Sequence, residues 1–319
     1  MKKRLLAALF AFMTLWCACA GALAEETTFV EPTLAPDATP YDAEHPENLE
    51  DDQLYAPSAI VIEQSSGTVI YEKNADEVRY PASTTKVMTV LLGIIWAEAN
   101  DAMESTVTVS DNAVALPSDS TTMGLEAGEE ISFHDLLVGT LLRSANEGAN
   151  VIAETVSGSI PAFAAYMNEA AAAFGCTSTH FANANGLHDP DHYTTARDMA
   201  IIARAAMQND TFREIANTTS YGLAKTNKHK ARTITVRDNS FRIPGTSDNP
   251  NKYYYPAGTG IKTGFTNQAG YCYVGSASQN GVDLISVVFG AGKRGRWADT
   301  IKLMDYGFSQ YECVTPAEL

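Results

Sequence analysis

Tyr80-Pro81-Ala82-Ser83-Thr84-Thr85-Lys86-Val87-Met88-Thr89 is the stretch around which the chain is organised. Ser83 and Lys86 stand three residues apart, so a helix starting here puts both side chains on one face, one turn apart. A serine hydroxyl is a weak nucleophile until a base takes its proton, and a desolvated lysine amine can be that base. Backbone N–H groups in the first turn of a helix have no helical partner and suit a developing negative charge. The stretch therefore reads as the centre of a serine acyl-transfer enzyme. By itself it is weak, because Ser-x-x-Lys arises by chance about once in a chain of this length.

Composition narrows the setting. The chain has 319 residues and a net charge of −16. Lys2-Lys3-Arg4 precede an apolar run from Leu5 to about Ala20, and small residues end at Ala24. This reads as a secretory signal over 1–24, with a retained anchor as the alternative. Losing its three positive charges takes the chain from −16 to −19. Such a charge excludes nucleic acid as an electrostatic partner. Residues 25–53 hold ten acidic residues, four prolines and no lysine or arginine, and are expected to be an acidic disordered linker. Residues 54–319 are expected to be a single catalytic domain. Cys176, Cys272 and Cys313 remain after the signal, an odd set that points to buried free thiols.

Elements follow in a definite order. Ala59-Ile60-Val61-Ile62 and Thr68-Val69-Ile70-Tyr71 predict a hairpin. Val87, Val90, Leu91, Ile94 and Ile95 recur at helical spacing, predicting a packed helix from about Ser83 to Ala99. A short strand over 105–109 precedes a helix capped by Ser132. That helix is nearly all apolar and stops at Arg143-Ser144-Ala145-Asn146. Helices over about 147–157, 161–174 and 196–207 follow. Strands at Gly260–Phe265, Tyr271–Ser276 and Asp283–Phe289, with an Asn280-Gly281 turn, and a last helix over 296–309 close the chain. Strands at both ends with helices between predict an α+β fold, an α/β sandwich. One five-stranded antiparallel sheet is built from both chain ends, with a helical region inserted.

Two more motifs follow the first in order: Ser144-Ala145-Asn146 and Lys262-Thr263-Gly264. Ser83 would attack a carbonyl carbon and Lys86 take its proton. Ser144 can relay a proton to the departing amine, and Asn146 can hold the substrate amide. Lys262 adds positive charge toward an anionic substrate, and Thr263 offers a hydroxyl to a carboxylate. Gly264 leaves room for substrate backbone along a strand edge. The N–H groups of Ser83 and Phe265 would form an oxyanion hole. Ser83 is the only serine followed by lysine at the third place. Ser-x-Asn also starts at Ser110, Ser247 and Ser278, but only Ser144 ends a buried helix that can project it into a cleft. Lys-Thr-Gly occurs by chance in about one chain in twenty.

This ordered set, together with Asn185-Gly-Leu-His-Asp189, His192-Tyr-Thr-Thr-Ala-Arg-Asp-Met-Ala200 and Gly260–Tyr271, resembles the serine-type D-Ala-D-Ala carboxypeptidases, the low-molecular-weight penicillin-binding proteins (peptidase family S11). The resemblance covers residues 55–311. It implies a serine β-lactamase/DD-peptidase-like fold, extracytoplasmic action on the cell wall, and removal of the terminal D-alanine from peptidoglycan stem peptides. It also implies covalent inhibition by β-lactams and no cofactor or metal. An arginine after Lys-Thr-Gly is implied to meet the terminal carboxylate; Arg296 fits that place best and Arg294 is its rival. Many family members carry a C-terminal β-rich domain and an amphipathic anchor. Neither is read here, so membrane association is not carried over.

Three rival readings share some of these features. A class A β-lactamase needs a carboxylate for its deacylating water, and no glutamate lies between Ala170 and Arg213; Asp189, Asp191 and Asp198 are present there but lack the context. A zinc peptidase would use His188-x-x-x-His192, but that pair lies in a Gly/Asp/Pro loop without His-Glu-x-x-His. A non-catalytic cell-wall or β-lactam-binding module would show a broken motif, and all three motifs are whole.

Overall fold

The computed structural model describes residues 28–311, so the expected signal peptide and Cys313 lie outside the described residues. In chain order the elements are β1 (Ser58–Glu63), β2 (Val69–Lys73), α1 (Lys86–Ala99), β3 (Thr106–Thr108), α2 (Asp111–Val114), β4 (Glu130–Ser132), α3 (Phe133–Arg143), α4 (Asn146–Ser157) and α5 (Ile160–Phe174). The second half contributes α6 (Ala196–Gln208), α7 (Asp210–Asn217), β5 (Ser220–Leu223), β6 (Arg232–Thr235), β7 (Gly258–Thr266), β8 (Gly270–Gln279), β9 (Val282–Ala291) and α8 (Gly295–Ser309).

The main sheet runs β2-β1-β9-β8-β7, antiparallel throughout. It joins the two chain ends through β1 and β9, as expected from the order of the elements. Alternate residues of each strand face opposite sides. Ile60, Ile62, Val274, Ile285, Val287 and Phe289 join the helices in one core. Ala59, Val61, Tyr273, Leu284 and Val288 join α8 in a second. Because both faces are covered, the inner strands read as near-continuous apolar runs. Asn280 and Gly281 both have positive φ (53° and 81°), the backbone that the tight β8–β9 turn requires.

Residues 28–53 depart from the expected disordered linker. Leu49 is buried against α8. The Tyr41 hydroxyl donates to Asp305, and Lys302 donates to the Gln53 carbonyl at 2.5 Å. Phe29 packs edge-on against Phe265 and Tyr271. The segment needs no core of its own because it borrows the outer face of α8; Lys73 Nζ donates to the Asp51 carbonyl, the Lys293 N–H donates to Glu31, and Lys302 lies over the Tyr41 ring. The β5–β6 hairpin, antiparallel between Ser220 and Thr235, is also absent from the sequence reading.

Cys176 and Cys272 are free thiols. Cys272 is buried in β8 opposite Gly264 of β7, where burial pushes its thiol up to about 11.

Asp299 ties the segment that leads into β1 to α8. Its carboxylate accepts the N–H groups of Tyr55 (3.1 Å) and Ala56 (2.7 Å) while fully buried. Asp299→Ala orphans both N–H groups and is expected to cost about 2–3 kcal/mol, read as a lower urea midpoint at unchanged slope. A midpoint that does not move would contradict this role.

Candidate active site

Ser83 sits in a single 3-10 turn, Ala82–Thr85, that leads directly into α1. Ala82 has φ +49°, so the turn holds a backbone shape that alanine adopts only under constraint. The constraint comes from below. The Thr85 hydroxyl donates to the Ala82 carbonyl at 2.8 Å and lies 2.7 Å from His192 Nε2. The Ala182 N–H donates to His192 Nδ1 at 3.1 Å, so Nε2 carries the proton and donates to Thr85. Burial lowers the imidazole to about 4 and keeps it neutral. With both nitrogens engaged, His192 is a structural support and has no lone pair free for a metal.

Lys86 is fully buried. Its amine lies 3.1 Å from Ser83 Oγ, 2.6 Å from Asn146 Oδ1 and 2.5 Å from the Asn185 carbonyl. Burial, reinforced by the charge of Lys262, drives its pKa well below the ordinary lysine value, while Glu147 opposes the shift. A neutral amine has two N–H donors and one lone pair. Asn146 Oδ1 and the Asn185 carbonyl take the two donors. The lone pair is then left facing the Ser83 hydroxyl, the orientation a general base needs.

Ser144 follows the last residue of α3 in a left-handed conformation (φ 61°, ψ 34°), and Asn146 opens α4. Both are buried. The Asn146 N–H donates to the Thr121 carbonyl. Glu147 Oε1 accepts the N–H groups of Met123, Gly124 and Leu125, so the next residue fastens the loop that roofs this turn. The rival Ser110 caps α2 through the Ala113 N–H, as its position after a strand suggests. Ser247 lies in an exposed loop with its hydroxyl against Asp248.

Among the described residues β7 is an edge strand, paired only with β8. A β-carbon on Gly264 would lie 3.1 Å from Ser83 N and 3.0 Å from the Pro81 carbonyl. The strand therefore passes against the nucleophile's backbone, and its outer edge stays open to an extended peptide. Phe265 follows, 42% exposed, with its ring 4.3 Å from that of Tyr271. Thr263 is half-buried and its carbonyl accepts from Lys262 Nζ at 2.9 Å. Lys262 is buried, and desolvation with the charges of Arg237 and Arg296 lowers it to about 7, against the pull of Asp238. Arg296, in the first turn of α8, is 1% exposed and pairs with Asp238 at 2.5 Å. Arg294 instead lines a surface cavity with Asp238, Lys252 and Tyr253.

The structure thus brings Ser83, Lys86 and Asn146 into direct contact and sets Gly264 against Ser83. Ser144 adjoins them through its turn, and Lys262 through its charge. Sequence reasoning missed Asn185, whose carbonyl holds Lys86, and Gly186, at φ +84°. A β-carbon on Gly186 would lie 2.0 Å from the Ala82 carbonyl and 3.0 Å from Ser83 N. Asn183–Gly186 was legible as a turn, but nothing local to it says that the turn walls the nucleophile. Arg237 and Asp238 were missed with their hairpin.

Comparison with known proteins agrees with this geometry. Residues 44–293 match the D-alanyl-D-alanine carboxypeptidase family. The chain is 35% identical over 262 residues to the D-alanyl-D-alanine carboxypeptidase DacF of Bacillus subtilis, covering 81% of this chain and 63% of that protein. It is 34% identical to DacC of Escherichia coli, covering 85% and 65%. It thus spans just under two thirds of the length of these curated relatives. The Streptomyces K15 DD-transpeptidase crystal structure superposes with a TM-score of 0.70 at 31% identity, covering 80% of this chain and 98% of that one. The Mycobacterium tuberculosis H37Rv D-alanyl-D-alanine carboxypeptidase gives 0.69 at 30%, covering 82% and 92%. The fold is therefore the serine β-lactamase-like α+β fold of the DD-peptidases. The chain belongs to peptidase family S11, the D-alanyl-D-alanine carboxypeptidases.

Two glycines with similar φ separate backbone strain from contact with the nucleophile's turn. Gly158 (φ +77°) has open space where a β-carbon would go, whereas Gly186 meets the Ala82 carbonyl. Gly158→Ala is expected to cost about 1 kcal/mol and Gly186→Ala at least about 3 kcal/mol by urea denaturation. Equal losses would show that Gly186 does not press on the Ser83 turn.

Proposed function

We propose that this chain is a serine D-Ala-D-Ala carboxypeptidase acting outside the cytoplasm on peptidoglycan stem peptides, with β-lactams as covalent inhibitors. The observation that carries the reading is the buried Lys86 amine, held by Asn146 and Asn185 with its third contact on Ser83. In this reading Lys86 takes the Ser83 proton as the oxygen attacks the carbonyl carbon of the penultimate D-alanine. The negative charge develops against the N–H groups of Ser83 and Phe265. The C–N bond breaks, the proton returns to the amine through Ser144, and D-alanine leaves. Asn146 holds the substrate amide. Lys262, Thr263 and Arg296 receive the terminal carboxylate, and Gly264 admits the peptide to the edge of β7. Water then cleaves the Ser83 ester.

The β-lactamase rival is disfavoured by where the acids are spent. The Asp198 carboxylate accepts from Thr177, Ser178 and Thr179, and Asp189 accepts from the Asp191 N–H. Glu147 Oε1 accepts three backbone N–H groups, so each of these acids has a part in holding the backbone.

Two measurements test the proposal. Incubation with an acyl-D-Ala-D-Ala peptide should release D-alanine, and labelled penicillin should attach to the chain. Ser83→Ala should abolish both, by more than about 10³-fold in rate. A labelled Ser83→Ala protein would sink the nucleophile assignment, and rapid penicillin turnover without D-alanine would favour the lactamase.

The pH dependence of kcat/KM follows from the two lysines. The base must be neutral, so activity rises as pH passes the lowered pKa of Lys86. Carboxylate binding needs Lys262 charged, so activity falls as Lys262 loses its proton, near pH 7 rather than near 10. An alkaline limb at pH 10 or above would contradict the role given to Lys262.

A further inference from the structure

Arg296 is held in an unusual way for a residue assigned to bind a substrate anion. Its guanidinium lies 4.8 Å from the Tyr271 ring centre and 4.4 Å from that of Trp297. Nη2 donates to Asp238 Oδ2 at 2.5 Å, and the buried Nε has no partner. The two rings leave the guanidinium its edges for hydrogen bonding, and Asp238 occupies one of them. A buried guanidinium without a counter-ion is strongly destabilised, and the ion pair that Arg296 makes among the described residues is with Asp238.

Asp238 comes from a different part of the chain, the loop after β6. It follows Arg237, whose N–H donates to the Leu142 carbonyl at the end of α3 and whose guanidinium donates to Thr121. Its backbone is left-handed, φ +46°, and its side chain is 48% exposed. One carboxylate oxygen thus holds Arg296 while the side chain opens to the cavity lined by Asn239, Asn251 and Lys252. The groups facing Lys262 are Arg237 and Asp238 from this loop, Arg296 from α8 and Lys86 from α1. Asp238 is the acid among these.

We infer that Asp238 is a positioning residue for carboxylate recognition: it fixes the Arg296 guanidinium between Tyr271 and Trp297 so that its remaining donors face the terminal carboxylate of the substrate. This rests on the carboxypeptidase reading and on Arg296 as the carboxylate partner. Asp238 does not touch substrate. It acts through Arg296, and through its charge it supports the protonated form of Lys262. Part of the substrate specificity then lies in a loop that none of the three motifs includes.

The test compares two substrates with the same acyl part. One is an acyl-D-Ala-D-Ala peptide, which has a free terminal carboxylate. The other is the corresponding acyl-D-alanine methyl ester, which has none. The preference for acid over ester, as a ratio of kcat/KM, should fall at least tenfold in Asp238→Ala, mainly through a higher KM for the peptide. Asp238→Asn keeps an oxygen acceptor for Arg296 without the charge, so it should recover part of the loss. In both variants the alkaline limb of the peptide profile should move to lower pH, because the acid that favours charged Lys262 is gone. Parallel losses on both substrates would show a merely structural role and overturn the inference. So would an unchanged ratio, or a lower KM for the peptide, which would make Asp238 a competitor of the substrate. Wild-type protein that releases no D-alanine from the peptide while still turning over the ester would instead overturn the carboxypeptidase reading.

Discussion

The structure depends on keeping one amine dry. Lys86 is fully buried in a place where an ammonium would lose its hydration and face the charge of Lys262. Desolvation of that kind favours the neutral form. The neutral amine then needs two acceptors for its two N–H groups, or it becomes an unsatisfied buried donor. Asn146 lies 60 residues away and Asn185 lies 99 residues away. Satisfying Lys86 therefore requires the start of α4 and the loop before α6 to meet at the start of α1. The helical region inserted between the two halves of the sheet provides that meeting.

The second requirement is electrostatic. The chain carries a net charge of −16, yet Arg237 and Arg296 converge on Lys262 in β7, beside the neutral Lys86. A local positive field on an acidic body draws an anion to that one place. Three devices keep the cluster from destabilising the fold. Lys262 and Lys86 have lowered pKa values, the Arg296 guanidinium is stacked by two aromatic rings, and Asp238 offsets part of the charge.

Much of this was legible. The β1–β2 hairpin, α1, the α3 to α6 helices, the three closing strands and α8 were all read from periodicity, caps and the Asn280-Gly281 turn. These are elements whose own residues carry the signal. Two features were not legible, for a shared reason. Residues 28–53 look too acidic to order, and Ser220–Thr235 has only two short strands of mixed polarity. Both are ordered by surfaces built elsewhere: Leu49 packs on α8, and the Val236 and Arg237 N–H groups reach Thr219 and the end of α3. A segment that borrows its core shows no apolar period of its own.

The order of residues already sets out the chemistry on offer: a Ser83 and Lys86 pair one helical turn apart, a Ser144-x-Asn146 turn after a buried helix, and a Lys262-Thr263-Gly264 strand. Covalent spacing is enough for that, because a helix puts residues three apart on one face whatever surrounds them. Packing in three dimensions makes Lys86 dry, gives its donors to Asn146 and Asn185, and presses Gly186 and Gly264 on the Ser83 backbone. It also sets Arg296 rather than Arg294 beside Lys262, with Asp238 holding it. These are matters of burial and of approach between residues far apart in the chain. Local spacing carries no information about them, since desolvation and long-range contact exist only once the layers have packed.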